Sequence, residues 1–372
     1  MYEYSVPCLM GVESLAADEL SFRGFDNVHA ENGRVLFSGD ERAGARANIL
    51  LRCGERVLLR LATFEAPTFD ALFEGTKAIP WEEWIGREDA FPVKGYALHS
   101  LLHSVPDCQS IVKKAVVERL KSVYGGTWLA ETGARRQIQF SILNDRAELY
   151  IDLSGAPLYK RGYKLEQTEA SLRETLAAAL VKLIRWRGRE PLWDPLCGSG
   201  TIAVEAAMAA LNIAPGVHRN FDAEYWSDSW KNAFAEERQS ALGAEKREKL
   251  PLCASDIDPA AIRLTEENAR RAGVREYMEI RVANVMKEPW QEREGVLLSD
   301  PPYGVRLMDR RQAEELTQKL GQALRGSRVK AYFLSADEGF ERHFARNADK
   351  RRKLYNGMIR CNFYMYFRSG TL

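Results

Sequence analysis

Nowhere in these 372 residues does an apolar run reach the roughly 18 residues that a membrane-spanning helix needs. The opening stretch, MYEYSVPCLMGVESL, lacks the basic and apolar regions of a secretory leader, so a cytoplasmic location is expected. Cysteine is sparse. The six, at positions 8, 53, 108, 197, 253 and 361, form no Cys-x-x-Cys pair. That speaks against a zinc site or a disulfide framework, fits reduced thiols, and leaves no metal expected. Charge of either sign is not in excess: 53 Lys and Arg stand against 52 Asp and Glu, a net charge of +1. Any nucleic-acid surface must therefore be local. Four basic runs are candidates: KKAVVERLK (113–121), KRGYK (160–164), KLIRWRGR (182–189) and RHFARNADKRRK (342–353). Internal repeats and low-complexity tracts are also missing.

What is present divides into three parts. Residues 1–65 read as a small α+β unit, with strand patterns in YSVPCLM, GRVLFSG and ERVLLRLATFEA and helix patterns in VESLAADELSFRG and RAGARANILLRC. Residues 66–160 form a second unit. Its helix CQSIVKKAVVERLKSVY gathers apolar positions 111, 112, 115, 116, 120 and 123 on one face, with Lys113, Lys114 and Lys121 off it. From 165 to 372 helices and strands alternate, the mark of a Rossmann-like, mostly parallel α/β sheet. Its strands are PLWDP, LPLCASD, MEIRVAN, GVLLSD and VKAYFLSAD, and a hairpin joined at Asn356-Gly357 closes it.

The stretch DPLCGSGT (194–201) places two glycines between the first of these strands and a helix. A P-loop needs Gly-Lys-Ser/Thr, and no lysine follows Gly200. Gly198-x-Gly200-x-x-Ala203 fits the dinucleotide fingerprint, but the next strand-end acid, Asp256, lies far beyond the expected spacing of about 20 residues. An insertion near NIAPGVHRNFDAEYWSDSWKNAF intervenes, which strains a dehydrogenase reading. S-adenosylmethionine suits the pattern better, because it carries an amino-acid head and a sulfonium but no phosphate. Asp194 would take its ammonium, backbone around Gly198, Ser199, Gly200 and Thr201 its carboxylate, and Asp256 its ribose. Ile257 would lie on the adenine and Asn284 would accept from the adenine amine, although Asp is the usual residue there. Leu196 and Val285 complete this set. Ligands collect at the carboxyl ends of such strands.

Residues 300–303 read Asp-Pro-Pro-Tyr at the end of the fourth strand. An exocyclic base amine is a poor nucleophile because its lone pair is delocalised into the ring. The Asp300 carboxylate and the Pro301 carbonyl, fixed by the Pro301-Pro302 turn, would hold both N–H bonds and turn the lone pair outward. Tyr303 would stack on the flipped base. Glu205 is expected to be structural. Trp226 and Trp230 would either wall the base or anchor their loop, and His99 and His103 are expected to be solvated or packed.

DPLCGSGT, SDIDP and SDPPYG resemble class I S-adenosylmethionine-dependent methyltransferases that act on amino groups. SLLHSVPDCQSIVKKAVVERL, YKRGYKLEQTEASLRETLAAALV and KLYNGMIRCNFYMY are similar to the bacterial THUMP-domain methyltransferases, among them the enzyme that makes N2-methylguanosine in 23S rRNA. The resemblance spans nearly the whole chain. It implies ferredoxin-like and THUMP domains that bind RNA ahead of the catalytic domain, with Lys113, Lys114 and Lys121 as phosphate contacts. It also implies that Ser171–Thr175, Thr175 in particular, border the donor pocket and that Arg306 lies near the substrate. Large members carry a second methyltransferase domain; this chain stops at 372, so only the guanine-N2 activity would carry over. Transfer to guanosine N2 in rRNA is thus expected. Two readings stay open beside it: methylation of tRNA guanosine or of adenine N6, and an RNA-binding assembly factor that has kept the fold without turnover.

Overall fold

The computed structural model describes residues 1–126, 129–164, 172–302 and 310–367. The front of the chain runs β1 (Tyr2–Pro7), α1 (Glu13–Phe22), β2 (Asp26–Glu31), β3 (Arg34–Gly39), α2 (Glu41–Leu50), β4 (Leu58–Glu65), α3 (Phe69–Lys77), β5 (Val93–Leu98), α4 (Val105–Tyr124), β6 (Ile138–Leu143) and β7 (Arg146–Asp152). Its seven strands make one sheet in the order β2-β3-β1-β4-β7-β6-β5. β4 pairs with β1 on one side (Tyr4↔Leu59) and with β7 on the other (Leu59↔Ile151). The first two units therefore share a strand, and residue 65 is the end of that strand. β2 escapes the sequence pattern because DNVHAE is polar and mostly exposed. It is an edge strand, made by its pairing with β3 and without an apolar face of its own. On α4, Val112, Ala115, Val116 and Leu120 are buried as the periodicity predicts, whereas Ile111 is only partly buried and Val123 is 48% exposed at the helix end.

The rest runs α5 (Glu174–Leu183), β8 (Leu192–Asp194), α6 (Thr201–Ala210), α7 (Asp228–Gly243), β9 (Leu252–Asp256), α8 (Pro259–Arg271), β10 (Glu279–Val282), β11 (Val296–Ser299), α9 (Arg310–Leu324), β12 (Lys330–Ser335), α10 (Phe340–Phe344), β13 (Lys350–Asn356) and β14 (Ile359–Tyr366). The second sheet has the order β10-β9-β8-β11-β12-β14-β13. Its first five strands are parallel, and β14 runs antiparallel to both β12 and β13. The closing hairpin turns one residue later than expected. Asn356 pairs with Ile359, leaving Gly357 and Met358 as the two-residue loop. Gly357 takes φ +63°, as a turn with glycine first requires, and Asn356 stays buried in the strand.

The front sheet is bolted to the second domain. The insertion before β9 supplies much of the seam: the Trp226 indole donates to the Arg135 carbonyl (2.9 Å), and the Arg136 guanidinium sits 5.0 Å over the Trp226 ring. Trp226 and Trp230 are both buried and meet edge to face, so they anchor their loop and do not wall a base. The KRGYK run is not a nucleic-acid surface either. Arg161 and Lys164 are buried; Arg161 reaches Glu205 (3.4 Å) and the Arg52 carbonyl (2.5 Å), and Lys164 bonds the Leu172 carbonyl (2.8 Å). Glu205, fully buried on α6, also accepts from the Tyr163 hydroxyl (3.2 Å), the structural role expected of it. Arg352 of the last basic run bonds the Gly11 carbonyl (2.6 Å).

Candidate active site

The five parallel strands end on one edge of the sheet, and chain order reverses there between β8 and β11, where such folds bind ligands. At this edge β8 delivers Asp194, β9 Asp256 and β11 Asp300. Asp194 is buried and accepts from the Ser299 hydroxyl (2.8 Å) and from the Leu196 backbone N–H. Burial pushes its carboxyl up to about 7, and the neighbouring charges of Asp256 and Asp300 add to the rise. Three acids crowded at one edge call for a cationic partner.

Between Asp194 and α6 the loop is held in shape from β9 and α8. Cys197 N–H bonds the Ser255 carbonyl (3.0 Å), and Gly198 N–H bonds Asp256 Oδ2 (3.0 Å). The Thr265 hydroxyl donates to the Gly198 carbonyl (2.8 Å) and Asn268 Nδ2 to the Ser199 carbonyl (2.9 Å). Ser199 and Thr201 share a hydroxyl contact (3.2 Å). The two glycines do different work. Gly198, at φ +53°, has open space where a Cβ would be, so a ligand can approach this face of the turn although the glycine's own N–H and carbonyl are taken by Asp256 and Thr265. Gly200, at φ +76°, would place a Cβ 2.5 Å from Thr265 Cγ2. Gly200→Ala is therefore expected to cost about 2–3 kcal/mol of stability through clash and backbone strain, against about 1 kcal/mol for Gly198→Ala. Thermal unfolding of the two variants measures the difference.

The remaining predicted residues divide. Ile257 is 63% exposed at the lip beside Asp256, open to a flat ring. Asn284 begins a short 3₁₀ turn, its Oδ1 accepting from Met286 N–H (3.0 Å) with a lone pair to spare. Val285 is buried in the second core, and its carbonyl takes the Trp290 indole (2.8 Å), so only its backbone can serve the site. Thr175 departs from expectation: fully buried, it gives its hydroxyl to Glu55 of the front unit (2.5 Å) and serves the seam between domains. Pro301 is buried and Pro302 partly exposed beside Asp300. Tyr303, Arg306 and Ser171 lie outside the described residues.

Of the three lysines, Lys113 is held between Glu131 (2.6 Å) and the Phe91 carbonyl (3.1 Å), with its ammonium 3.4 Å from the Phe91 ring centre. It stabilises its own domain and is not a free phosphate contact. Lys114 is exposed and Lys121 partly so. His99 and His103 are exposed, as expected. Sequence reasoning missed Thr265, Asn268 and Ser299. The one signal available was polar residues on the buried face of the α8 pattern, at 265 and 268 beside Ile262 and Ala269.

Residues 161–365 match the RMKL-like methyltransferase domain, residues 66–152 the THUMP domain and residues 3–58 the RlmL ferredoxin-like domain. The chain belongs to the RMKL-like methyltransferase family. It is 42% identical over 365 residues to YpsC of Bacillus subtilis (strain 168), a relative named only provisionally as an RNA methyltransferase, covering 96% of this chain and 94% of that one. It is 32% identical over 373 residues to the ribosomal RNA large subunit methyltransferase K/L of Psychromonas ingrahamii (strain DSM 17664 / CCUG 51855 / 37), covering 97% of this chain but 49% of the relative. The chain thus spans about half the length of its K/L relatives.

Among solved structures, a Listeria monocytogenes (str. 4b F2365) protein described as a predicted N6-adenine-specific DNA methylase superposes with TM-score 0.92 at 40% identity, over 98% of this chain and 96% of that one. SMU.472, described only provisionally as a methyltransferase and complexed with S-adenosylhomocysteine, gives TM-score 0.91 at 34% identity, over 100% of this chain and 99% of its own. This family member is a class I enzyme of an RNA-modifying family, and S-adenosylmethionine is its methyl donor. The geometry fits that donor: a buried carboxylate lies beside a glycine turn with open space over it, and a second carboxylate and an exposed isoleucine follow at the end of the next strand. Among the described residues, no helix is long and apolar enough to cross a membrane.

Proposed function

We propose that the enzyme methylates the exocyclic N2 of a guanosine in RNA, with 23S rRNA the favoured target. The observation that carries the reading is the Asp300-Pro301-Pro302 corner on β11, next in the sheet to the strand that ends at Asp194. When bound, S-adenosylmethionine supplies a methyl group on a sulfonium and leaves as S-adenosylhomocysteine. The chain's own part is positioning. Asp300 and the Pro301 carbonyl accept the two N–H bonds of the base amine, so that its lone pair points away from the ring plane. Asp300 then takes the proton the methylated nitrogen sheds and passes it to solvent. Ser299 fixes the Asp194 carboxylate, so the donor's ammonium has a single place to sit.

RNA as substrate is supported by the THUMP domain and by the ribosomal RNA named for the K/L relatives. Lys114 and Lys121, on the exposed side of α4, are the phosphate contacts in this reading. Lys114→Glu with Lys121→Glu is expected to weaken RNA binding about tenfold or more and to flatten its salt dependence, with S-adenosylhomocysteine affinity unchanged in calorimetry.

The deciding experiment is nucleoside mass spectrometry of rRNA and tRNA from cells lacking the protein. Loss of one N2-methylguanosine from 23S rRNA supports the proposal, and its loss from tRNA moves the substrate. The description of the Listeria neighbour keeps adenine N6 as a second reading, and loss of N6-methyladenosine would choose it. Unchanged nucleosides, with donor binding intact, would favour an assembly factor.

A further inference from the structure

The row of strand-end acids continues one strand past the catalytic corner. β12 runs parallel to β11, from Val296↔Lys330 to Ser299↔Phe333, so both strands leave the sheet on the same edge. The turn after β12 lines, together with Pro301 and Pro302, a cleft of about 330 Å³ whose opposite wall is the start of α9 (Arg310, Ala313, Glu314, Thr317). That is the small end of the range for ligand cavities, suited to a single base.

Asp337 lies in this cleft wall and is held on every side. Its N–H donates to Ser335 Oγ (3.1 Å), and its carbonyl accepts from the Tyr364 hydroxyl (3.0 Å). One carboxylate oxygen accepts from Gly339 N–H (2.8 Å), and the other lies 2.9 Å from His343 Nδ1. A carboxylate oxygen accepts more than one hydrogen bond, so a group fixed this firmly still has acceptor capacity for a base.

Purines differ beside their amines. Guanine presents N1–H next to its N2 amine, two donors side by side, whereas adenine presents a bare N1 lone pair next to its N6 amine. Asp300 and Pro301 bind either amine alike. A fixed carboxylate in the cleft that Pro301 and Pro302 line does not: it bonds guanine N1–H and faces adenine N1 lone pair to lone pair.

We infer that Asp337 reads the N1–H of the target guanine and so excludes adenine from the corner. The inference rests on the guanine-N2 reading above. It makes Asp337 a specificity residue and assigns the His343 contact the task of aiming its carboxylate.

The test uses 2-aminopurine, which keeps the 2-amino group but carries a lone pair at N1. The full chain is assayed for methyl transfer to its mapped RNA target, synthesised with guanine, 2-aminopurine or adenine at the modified position. The wild type is expected to prefer guanine about a hundredfold in kcat/KM. Asp337→Asn should lose about that factor on guanine and gain on 2-aminopurine, because the amide can donate to N1; S-adenosylhomocysteine binding should hold. An equal loss on both substrates would mean that Asp337 only supports the fold. Equal use of both by the wild type would also overturn the inference. Transfer by the wild type to adenine alone would remove the guanine reading and this inference with it.

Discussion

Asp300→Ala is expected to lower the rate of methyl transfer about a thousandfold while S-adenosylhomocysteine affinity stays within about threefold of wild type. The size follows from what the side chain does in the proposed corner. One of two acceptors that turn the amine's lone pair is lost, and so is the group that takes the released proton. Asp300→Asn keeps an acceptor oxygen and should lose only about tenfold. Donor affinity is the internal control, because in the proposed corner Asp300 grips the amine and acts on Asp194 through its charge. Single-turnover transfer alongside calorimetry separates the two quantities. A variant that loses donor binding and rate together would show that Asp300 holds the pocket and does not act on the amine.

The second large effect belongs to Asp194. Asp194→Ala should weaken S-adenosylhomocysteine binding about a hundredfold or more, because a buried carboxylate facing an ammonium is lost. pH makes the same point in the wild type. The carboxyl is pushed up to about 7, so the ligand-free folded protein keeps a proton that the unfolded chain releases near the ordinary value of about 4. Folding stability of the ligand-free protein must then fall as pH rises from about 4 to 7, and level off above. The loss is on the order of 4 kcal/mol at most. Binding of an ammonium favours the ionised form, so the affinity trend is opposite. Below about 7 donor affinity should drop about tenfold per pH unit, with a proton released on binding. Asp194→Asn should reverse the stability cost above pH 7 and abolish the pH dependence of binding. Titrations in two buffers of different ionisation heat, together with thermal unfolding from pH 5 to 9, check all three outcomes. Donor affinity that is flat across this range would mean that the carboxylate is not the ammonium's partner.

The glycine loop was legible because its backbone chemistry is local. Asp194, Gly198, Gly200 and Asp256 lie at strand ends and turns whose backbone demands a particular residue type. What holds that loop was not legible. Thr265 and Asn268 look like ordinary polar residues of an amphipathic helix until α8 is laid under the glycines. The basic run KRGYK misled for a related reason. Charge in a sequence suggests solvent, and only tertiary contact shows that Arg161 and Lys164 are buried against Glu205, the Arg52 carbonyl and the Leu172 carbonyl. Lys113 failed the same way, its ammonium taken by Glu131 and the Phe91 ring. The hairpin was right in kind and wrong by one residue, since glycine fixes a positive φ but burial of Asn356 fixes the register.

By itself the chain's order of residues determined the alternating α/β pattern, the glycine turn, the strand-end acids and the proline corner, since each depends on backbone preferences within a few residues. Tertiary structure alone decided that the two front units share β4, that the Thr175 hydroxyl is spent on Glu55 across a seam, and that Asp337 stands in the same cleft as Pro301. Those facts depend on which surfaces meet, and the pairing of strands far apart in the chain leaves no periodic trace in either partner.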